Sequence, residues 1–428
     1  MPAIFSDPET ARSFAQAVVG RLLTSGHEAF WAGGCVRDEL LGRIPADYDV
    51  ATSARPDAVR AVFGRGRTLA VGAAFGVITV VGPRGAGHVE VTTFRTDAAY
   101  TDGRHPAGVT FSSAREDALR RDFTINGMFL DPATGEVHDY VGGRADLTAG
   151  IVRAIGVPAM RFGEDHLRML RAVRFAAAFD FTLEGETRAA IERMAHLVST
   201  VSPERIAAEL RALVSRPGRR RGLELLAETG LARHALVDFS GGTGGGRDHG
   251  PAWSWAASAV GALDEPGLPT ALALLAEATL PAATAAAGLA QVAARLRLSN
   301  REAATARWLL QAVGELGDAA PGELLRRPWS RVQPWLADER AFLLADLLRA
   351  RAACGRGSAD AAAWAAAQTT RPRSEIDPAP LLTGDDLLAA GVPPGRPIGE
   401  MLGLLRTMQL DGEIATREEA LLWVRRRS

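Results

Sequence analysis

The sequence predicts an α+β domain at the N-terminus followed by an all-helical remainder. Three observations carry this. Short β-like runs punctuated by glycine are confined to about the first 150 of the 428 residues. From Gly163 onward apolar residues recur at helical spacing, and an alanine-rich stretch continues that pattern to about Gln368. The early runs also lack the regular strand–helix alternation of a doubly wound fold, which favours a mixed sheet.

Taken in order, Asp7-Pro8-Glu9 opens a first helix, with a capping acid before a proline suited to an early helical position. Strands are expected at 29–31, 48–51, 68–71, 76–81, 89–94 and 135–140, with a short helix at 37–41 after a diglycine. After about residue 150 no further strand is expected. Leu167, Leu170, Val173 and Phe175 define one helix, Ile191, Met194 and Leu197 another, and helices continue through 205–213 and 222–231. A glycine run at 241–246 reads as a linker, and the proline-punctuated stretch 370–380 as the last connector before a helical tail. The resulting division is 1–150, 151–235, 236–370 and 371–428, without an internal repeat.

Composition removes several function classes. Charge nearly cancels, with 49 basic and 50 acidic residues, and every basic residue is arginine. A Schiff-base lysine and a P-loop lysine are therefore excluded. Two cysteines, Cys35 and Cys354, cannot form a zinc site alone and fit a reducing cytoplasm. The start has no leader-like pattern, and the greasy stretches are too short for a bilayer span. Neither membrane nor DNA is expected as a partner. Between 151 and 235, however, 14 arginines stand against 10 acids, including Arg216 and Arg219-Arg220-Arg221, a local stripe able to hold phosphates.

The chemistry concentrates in Trp31-Ala32-Gly33-Gly34-Cys35-Val36-Arg37-Asp38, followed by Asp47-Tyr48-Asp49. A strand ending in Gly33-Gly34 and opening a helix offers backbone N–H groups to an anion, and Arg37 can fork onto a phosphate. Asp47 and Asp49, two apart in an extended stretch, place both carboxylates on one face. Such a pair beside a triphosphate is a Mg²⁺ site, because magnesium takes one or two carboxylates and completes its shell with phosphate and water. Each piece alone is more often an ordinary turn or a solvated edge; their order within 17 residues is what singles them out.

Gly33-Gly34-x-x-Arg37-Asp38 with Leu41-Gly42 and Asp47-x-Asp49 resembles the active-site signature of class II tRNA nucleotidyltransferases, the bacterial-type CCA-adding enzymes related to bacterial poly(A) polymerases. The resemblance implies a polymerase-β-like head followed by helical neck, body and tail. A third carboxylate is expected on a neighbouring strand, and Glu90 supplies it, facing away from Val89, Val91 and Thr93 by alternation. The block Arg120-Arg121-Asp122-Phe123-Thr124-Ile125-Asn126 is similar to a family block in which Arg121 would contact the nucleotide, and Asp122 and Asn126 would support the sugar and the site. The usual alanine after that Asn is Gly127 here, expected to matter little. The segment 97–110 occupies the place of the family's flexible loop. In the neck, Glu164-Asp165-His166-Leu167-Arg168 is similar to the base-reading motif, so Asp165 and Arg168 would read the base while Arg171 and Arg174 would hold phosphate and sugar. Asp165, Arg168, Arg171 and Arg174 stand three apart, one drifting stripe of a single helix. Tail segments 382–387, 391–395 and 410–414 resemble tRNA-contacting parts of the Gram-positive-like branch.

The expectation is a template-independent enzyme that adds or repairs the 3′ CCA of tRNA from CTP and ATP, releasing pyrophosphate. Asp47, Asp49 and Glu90 would be catalytic, Asp47 and Asp49 the metal ligands, and tRNA would be held at its 3′ end and body. The alternatives are poly(A) polymerase, an A-only or CC-only enzyme, or an inactive RNA-binding protein. Relatives carry an HD phosphohydrolase insertion after the neck; with only Asp248-His249 in the corresponding stretch, no such activity is expected.

Overall fold

The computed structural model describes residues 7–97, 109–236, 239, 250–319 and 322–427. It divides into two compact units, the first formed by 1–213 and 221–237, the second by 214–220 and 238–428.

The first unit opens with α1 (Pro8–Thr24), capped by the Asp7 carboxylate on Thr10 N–H with proline at the first position. β1 (Ala29–Ala32) runs into α2 (Gly34–Leu40), and β2 (Asp49–Thr52) follows. Next come α3 (Pro56–Phe63), β3 (Thr68–Leu69), β4 (Val77–Val81) and β5 (His88–Thr93). β6 (Arg95–Asp97) and β7 (Val109–Phe111) form a separate antiparallel pair, so the expected flexible loop lies largely outside the described residues. α4 (Ala114–Leu119), held by a Ser113–Glu116 capping box, leads through a 3-10 turn at Thr124–Asn126 to β8 (Met128–Leu130) and β9 (Val137–Asp139).

The main sheet has seven strands in the order β3-β4-β5-β2-β1-β8-β9. Only β2 and β5 run parallel; the other pairs are antiparallel. Mixed pairing was the expectation from the irregular spacing. Ala32, Ala51, Phe94, Ala114, Ala118 and Phe129 form a buried cluster on which the strands carrying the site are seated.

Beyond residue 150 the structure departs from the expectation of helices alone. After α5 (Gly143–Ala149), β10 (Ile151–Val152) pairs in parallel with β11 (Thr182–Leu183). Two-residue strands carry no periodicity, and their pairing depends on a partner some thirty residues away, so local pattern does not reveal them. Between them lie α6 (Pro158–Glu164) and α7 (Leu167–Phe179), followed by α8 (Gly185–Met194) and α9 (Pro203–Val214). α7 buries Leu167, Leu170, Val173 and Phe175, the periodic residues.

Among the described residues the second unit is helical, from Gly250–Gly261 to Arg417–Arg425. Its C-terminal part has its own core of Leu382, Leu387, Val392, Leu405, Ile414, Ala420 and Val424. Within the expected basic stripe, the Arg219 guanidinium donates to the carbonyls of Val260, Gly261 and Leu263. Arg221 pairs with Glu224 and Glu228 within the first unit. Clustered arginines in sequence are thus spent on a helix C-terminus and on acids of their own unit. Asp248-His249 and the 241–246 run fall outside the described residues.

Candidate active site

Gly33 occupies the N-cap of α2 with φ 75°, a left-handed conformation that suits glycine. A Cβ there would lie 2.9 Å from Arg121 Nη1, so the missing side chain is what lets that guanidinium reach the turn. Gly34 begins α2, and Arg37 follows one turn later. Cys35 is buried beneath, its thiol pushed up to about 12 chiefly by burial, so it packs rather than reacts.

The two aspartates share one side, as expected, but they do so from different backbone settings. β2 begins at Asp49, leaving Asp47 ahead of the strand. Both are exposed while Tyr48 between them is buried. Asp49 stands in parallel register with Glu90 of β5, so their side chains project from the same face. On β5, Val89, Val91 and Thr93 are buried and Glu90 is exposed, the alternation read from the sequence. Although the residue as a whole is open to solvent, the crowding of atoms around the Asp49 carboxyl, then the charges of Asp47 and Glu90, push it up to about 7 against the opposing pull of Arg121. Among the described residues, no cationic side chain pairs with any of the three carboxylates. Nor, among them, do three or more His, Cys, Asp or Glu converge to hold a metal unaided. The donor set fits a magnesium ion that draws its remaining oxygens from nucleotide phosphate and water.

The arginines are in the opposite condition. Arg37 is buried, donating Nη1 to Asn126 Oδ1 at 2.6 Å and pairing with Asp38 at 2.8 Å. Asn126 in turn donates to Asp122 at 3.1 Å, and Asp122 accepts from Arg171 Nε and Nη2 at 2.9 and 2.7 Å. Burial alone would raise the Asp122 carboxyl; the Arg171 charge and the hydrogen bonds of Arg171, Asn126 and Phe123 outweigh it and hold the group at about 2. Arg174 is buried and donates to Glu209 at 2.6 Å, with Arg171 3.7 Å from the same carboxylate. A continuous polar chain thus runs from the glycine turn to the neck helix. Arg121 is held by Asp117, which is fully buried and also pairs with Arg120, and it donates to the Asn126 carbonyl at 3.3 Å.

The base-reading pair departs from the single-stripe expectation. Asp165 caps the C-terminus of α6 in an extended conformation, and only Arg168, Arg171 and Arg174 lie on α7. The break arises because α6 and α7 are separate helices joined at Asp165-His166, which spacing alone does not reveal. Asp165 accepts from Arg205 Nη1 and Nη2 at 3.1 and 2.6 Å, while Arg168 pairs with Glu164 and donates to the Arg161 carbonyl at 2.9 Å. The two residues are adjacent in space through their backbones, with Arg168 N–H on the Asp165 carbonyl at 3.1 Å, and not through their side chains.

Sequence reasoning missed Asp117, Glu164, Arg205 and Glu209, the acids and the arginine that hold these groups. Glu164 lies inside the 164–168 motif and Asp117 just before the 120–126 block; Arg205 and Glu209 sit 40 and 35 residues from their partners, beyond any local pattern. Gly127 is closely packed. An added methyl would fall 2.7 Å from Val141 Cγ2 and 3.0 Å from Ile155 Cδ1, so those side chains already fill the alanine's space.

The mixed sheet, the glycine turn and the aspartates left unpaired among the described residues define a nucleotidyltransferase head of the poly(A) polymerase type. Family models agree: one described as the Poly A polymerase head domain matches residues 29–153, and one described as a probable RNA and SrmB-binding site of polymerase A matches 180–240. A CCA-adding enzyme of Levilactobacillus brevis is 34% identical over 412 residues, covering 95% of this chain and 96% of that protein. The chain belongs to the CCA-adding enzyme family. A CCA-adding enzyme of Anoxybacillus flavithermus is 45% identical over 218 residues, 51% of this chain, and that match spans about half of the relative's length, 54%. Among solved structures, the Bacillus stearothermophilus CCA-adding enzyme in complex with CTP superposes with a TM-score of 0.77 at 29% identity, covering 97% of each chain. A Thermotoga maritima CCA-adding enzyme complexed with tRNA shares the fold, with a TM-score of 0.63 at 19% identity over 96% of this chain and 94% of that one. Among the described residues no helix is long and apolar enough to cross a membrane.

Proposed function

We propose that this chain adds or repairs the 3′-terminal CCA of tRNA without a template, using CTP and ATP and releasing pyrophosphate. The observation that carries this reading is the Asp47–Asp49 pair, left without a cationic partner among the described residues and set near the glycine turn that Arg121 approaches. Asp47 and Asp49 would hold magnesium, with Glu90 beside them as a further ligand or as the base for the attacking hydroxyl. Bound there, the metal would supply charge stabilisation to the transferring phosphorus and lower the proton affinity of the RNA 3′-hydroxyl. That oxygen attacks the α-phosphorus in line, the bond to pyrophosphate breaks, and the new phosphodiester extends the RNA by one nucleotide.

The remaining residues bind and orient. Gly33 and Gly34 leave room for the triphosphate, while Arg37, Arg121, Arg171 and Arg174 supply positive charge around it and the sugar. Asn126 fixes the Arg37 guanidinium and Asp122 that of Arg171, while Asp117 holds Arg121 and Glu209 holds Arg174. Asp165 keeps acceptor capacity beyond its two contacts with Arg205, and Arg168 keeps donors beyond the one on Glu164 and Arg161. Cytosine and adenine each offer an amino donor beside a ring acceptor and satisfy both residues. Uracil and guanine offer a carbonyl at the amino position and leave Asp165 unmatched, an expensive mismatch in a dry site. The tail would touch the tRNA body, and the protein would act in the cytoplasm. The divisions 1–150, 151–235, 236–370 and 371–428 are proposed as head, neck, body and tail.

The test supplies the purified chain and Mg²⁺ with tRNA lacking its last three nucleotides. CTP alone should add two residues, ATP alone none, and both together three. Long adenosine tracts from ATP would instead indicate poly(A) polymerase, and no incorporation would indicate an RNA-binding protein without activity.

A further inference from the structure

Asp47 stands outside the sheet ladder, which reaches only to Asp49 on its β5 side and Val50 on its β1 side. The connection from the end of α2 to β2 contains a turn at 41–42 and no helix or strand, so something else must hold Asp47. Tyr48 provides that hold. It is 5% exposed between two exposed aspartates, with its ring packed on Trp31 of β1 at 4.7 Å. Its hydroxyl donates to Glu39 Oε1 on α2 at 2.9 Å. Arg12 of α1 clamps the same carboxylate, Nε to Oε1 at 3.0 Å and Nη2 to Oε2 at 3.3 Å, and lies 5.2 Å over the Trp31 ring.

We infer that Tyr48, tied through Glu39 to Arg12, is a positioning residue that fixes the Asp47–Asp49 pair relative to the glycine turn of α2. The inference rests on the reading of that pair as the divalent-cation site. Its physical content is a staple. Glu39 lies on the helix whose first turn carries Gly33, Gly34 and Arg37, and Tyr48 lies between the two carboxylates. One charge-assisted hydrogen bond therefore joins the phosphate side of the site to the metal side across an otherwise unladdered connection. Without it the connection regains backbone freedom and the two aspartates cease to be presented as a unit.

The experiment uses the full chain and the variants Tyr48→Phe, Glu39→Gln, Glu39→Leu and Tyr48→Phe/Glu39→Leu. Manganese affinity in the presence of CTP is read by electron paramagnetic resonance. Incorporation of CMP into tRNA lacking CCA gives kcat and KM, and melting gives stability. Tyr48→Phe should weaken manganese binding about tenfold and lower kcat similarly, the scale of one hydrogen bond to a charged group. KM for CTP should stay within about twofold, and the melting point within about 3 °C. Glu39→Gln, which keeps an acceptor for the phenol, should recover most of the loss. Glu39→Leu should match Tyr48→Phe, with the double variant no worse than either. Wild-type manganese affinity in Tyr48→Phe, or additive losses in the double variant, would overturn the inference. An unaltered chain that binds manganese yet incorporates nothing would overturn the functional reading instead, and the manganese titrations would still decide the staple.

Discussion

The two charged halves of the site are built on opposite terms. On the sheet, Asp47, Asp49 and Glu90 gather negative charge with no cationic side chain paired to them among the described residues, and Asp49 is driven up to about 7. Around the 120–126 block and the neck, each of Arg37, Arg121, Arg168, Arg171 and Arg174 meets an acid, and Asp122 is held down at about 2. Like charges held together cost stability unless a ligand neutralises them, whereas paired charges keep their orientation before any ligand arrives. On the proposed reading the sheet side would be completed by a cation, whereas the arginines of the other side are already oriented by their acids.

The comparison can be broken from either side. The largest effect is expected on the sheet. Asp47→Ala or Asp49→Ala should reduce CMP incorporation about a thousandfold or more, since metal clamps contribute several kcal/mol to the transition state. tRNA binding, which the proposal assigns to the arginines and the tail, should stay within a few-fold in a filter or shift assay. Retention of more than about a tenth of the rate would remove the pair from metal binding.

On the neck side, Arg168→Ala should relax base choice about ten- to hundredfold, letting UTP and GTP compete, as kcat/KM for the four nucleotides would show. Arg171→Ala should lower all four alike, because its Nε and Nη2 are directed at Asp122 and not toward Asp165 or Arg168. A parallel loss of all four nucleotides in Arg168→Ala would move that residue into the phosphate-binding group.

Much of the sheet side was legible because its signals are local. Alternation placed Glu90 opposite the buried Val89, Val91 and Thr93, and the short Asp-x-Asp repeat placed Asp47 and Asp49 on one side. The neck was legible in composition but not in arrangement. An i+3 series cannot show that the chain breaks at Asp165, because helix and break accommodate the same residue types there. The partners Arg205 and Glu209 come from α9, and Asp117 from the helix before the 120–126 block; which acid meets which arginine is fixed only by tertiary packing. In the arginine run at 219–221, likewise, the sequence does not show that Arg219 meets carbonyls at a helix C-terminus and Arg221 meets Glu224 and Glu228.

The unpaired charge on the sheet can be measured directly by melting the unaltered chain and Asp49→Asn in chelator and in Mg²⁺ across pH. Asp49 has its carboxyl at about 7 in the folded chain against an ordinary 3.8, so the folded state binds its proton more tightly than the unfolded state does. Its contribution to stability therefore falls as pH rises from about 4 to about 7, and the penalty is fully present above that. At pH 8 in chelator Asp49→Asn should melt higher than the unaltered chain, and the gap should narrow toward pH 5. Added Mg²⁺ should raise the unaltered chain by mass action and leave Asp49→Asn nearly unmoved. Equal melting points at pH 8 in chelator, or equal responses to Mg²⁺, would contradict a sheet that waits for a cation.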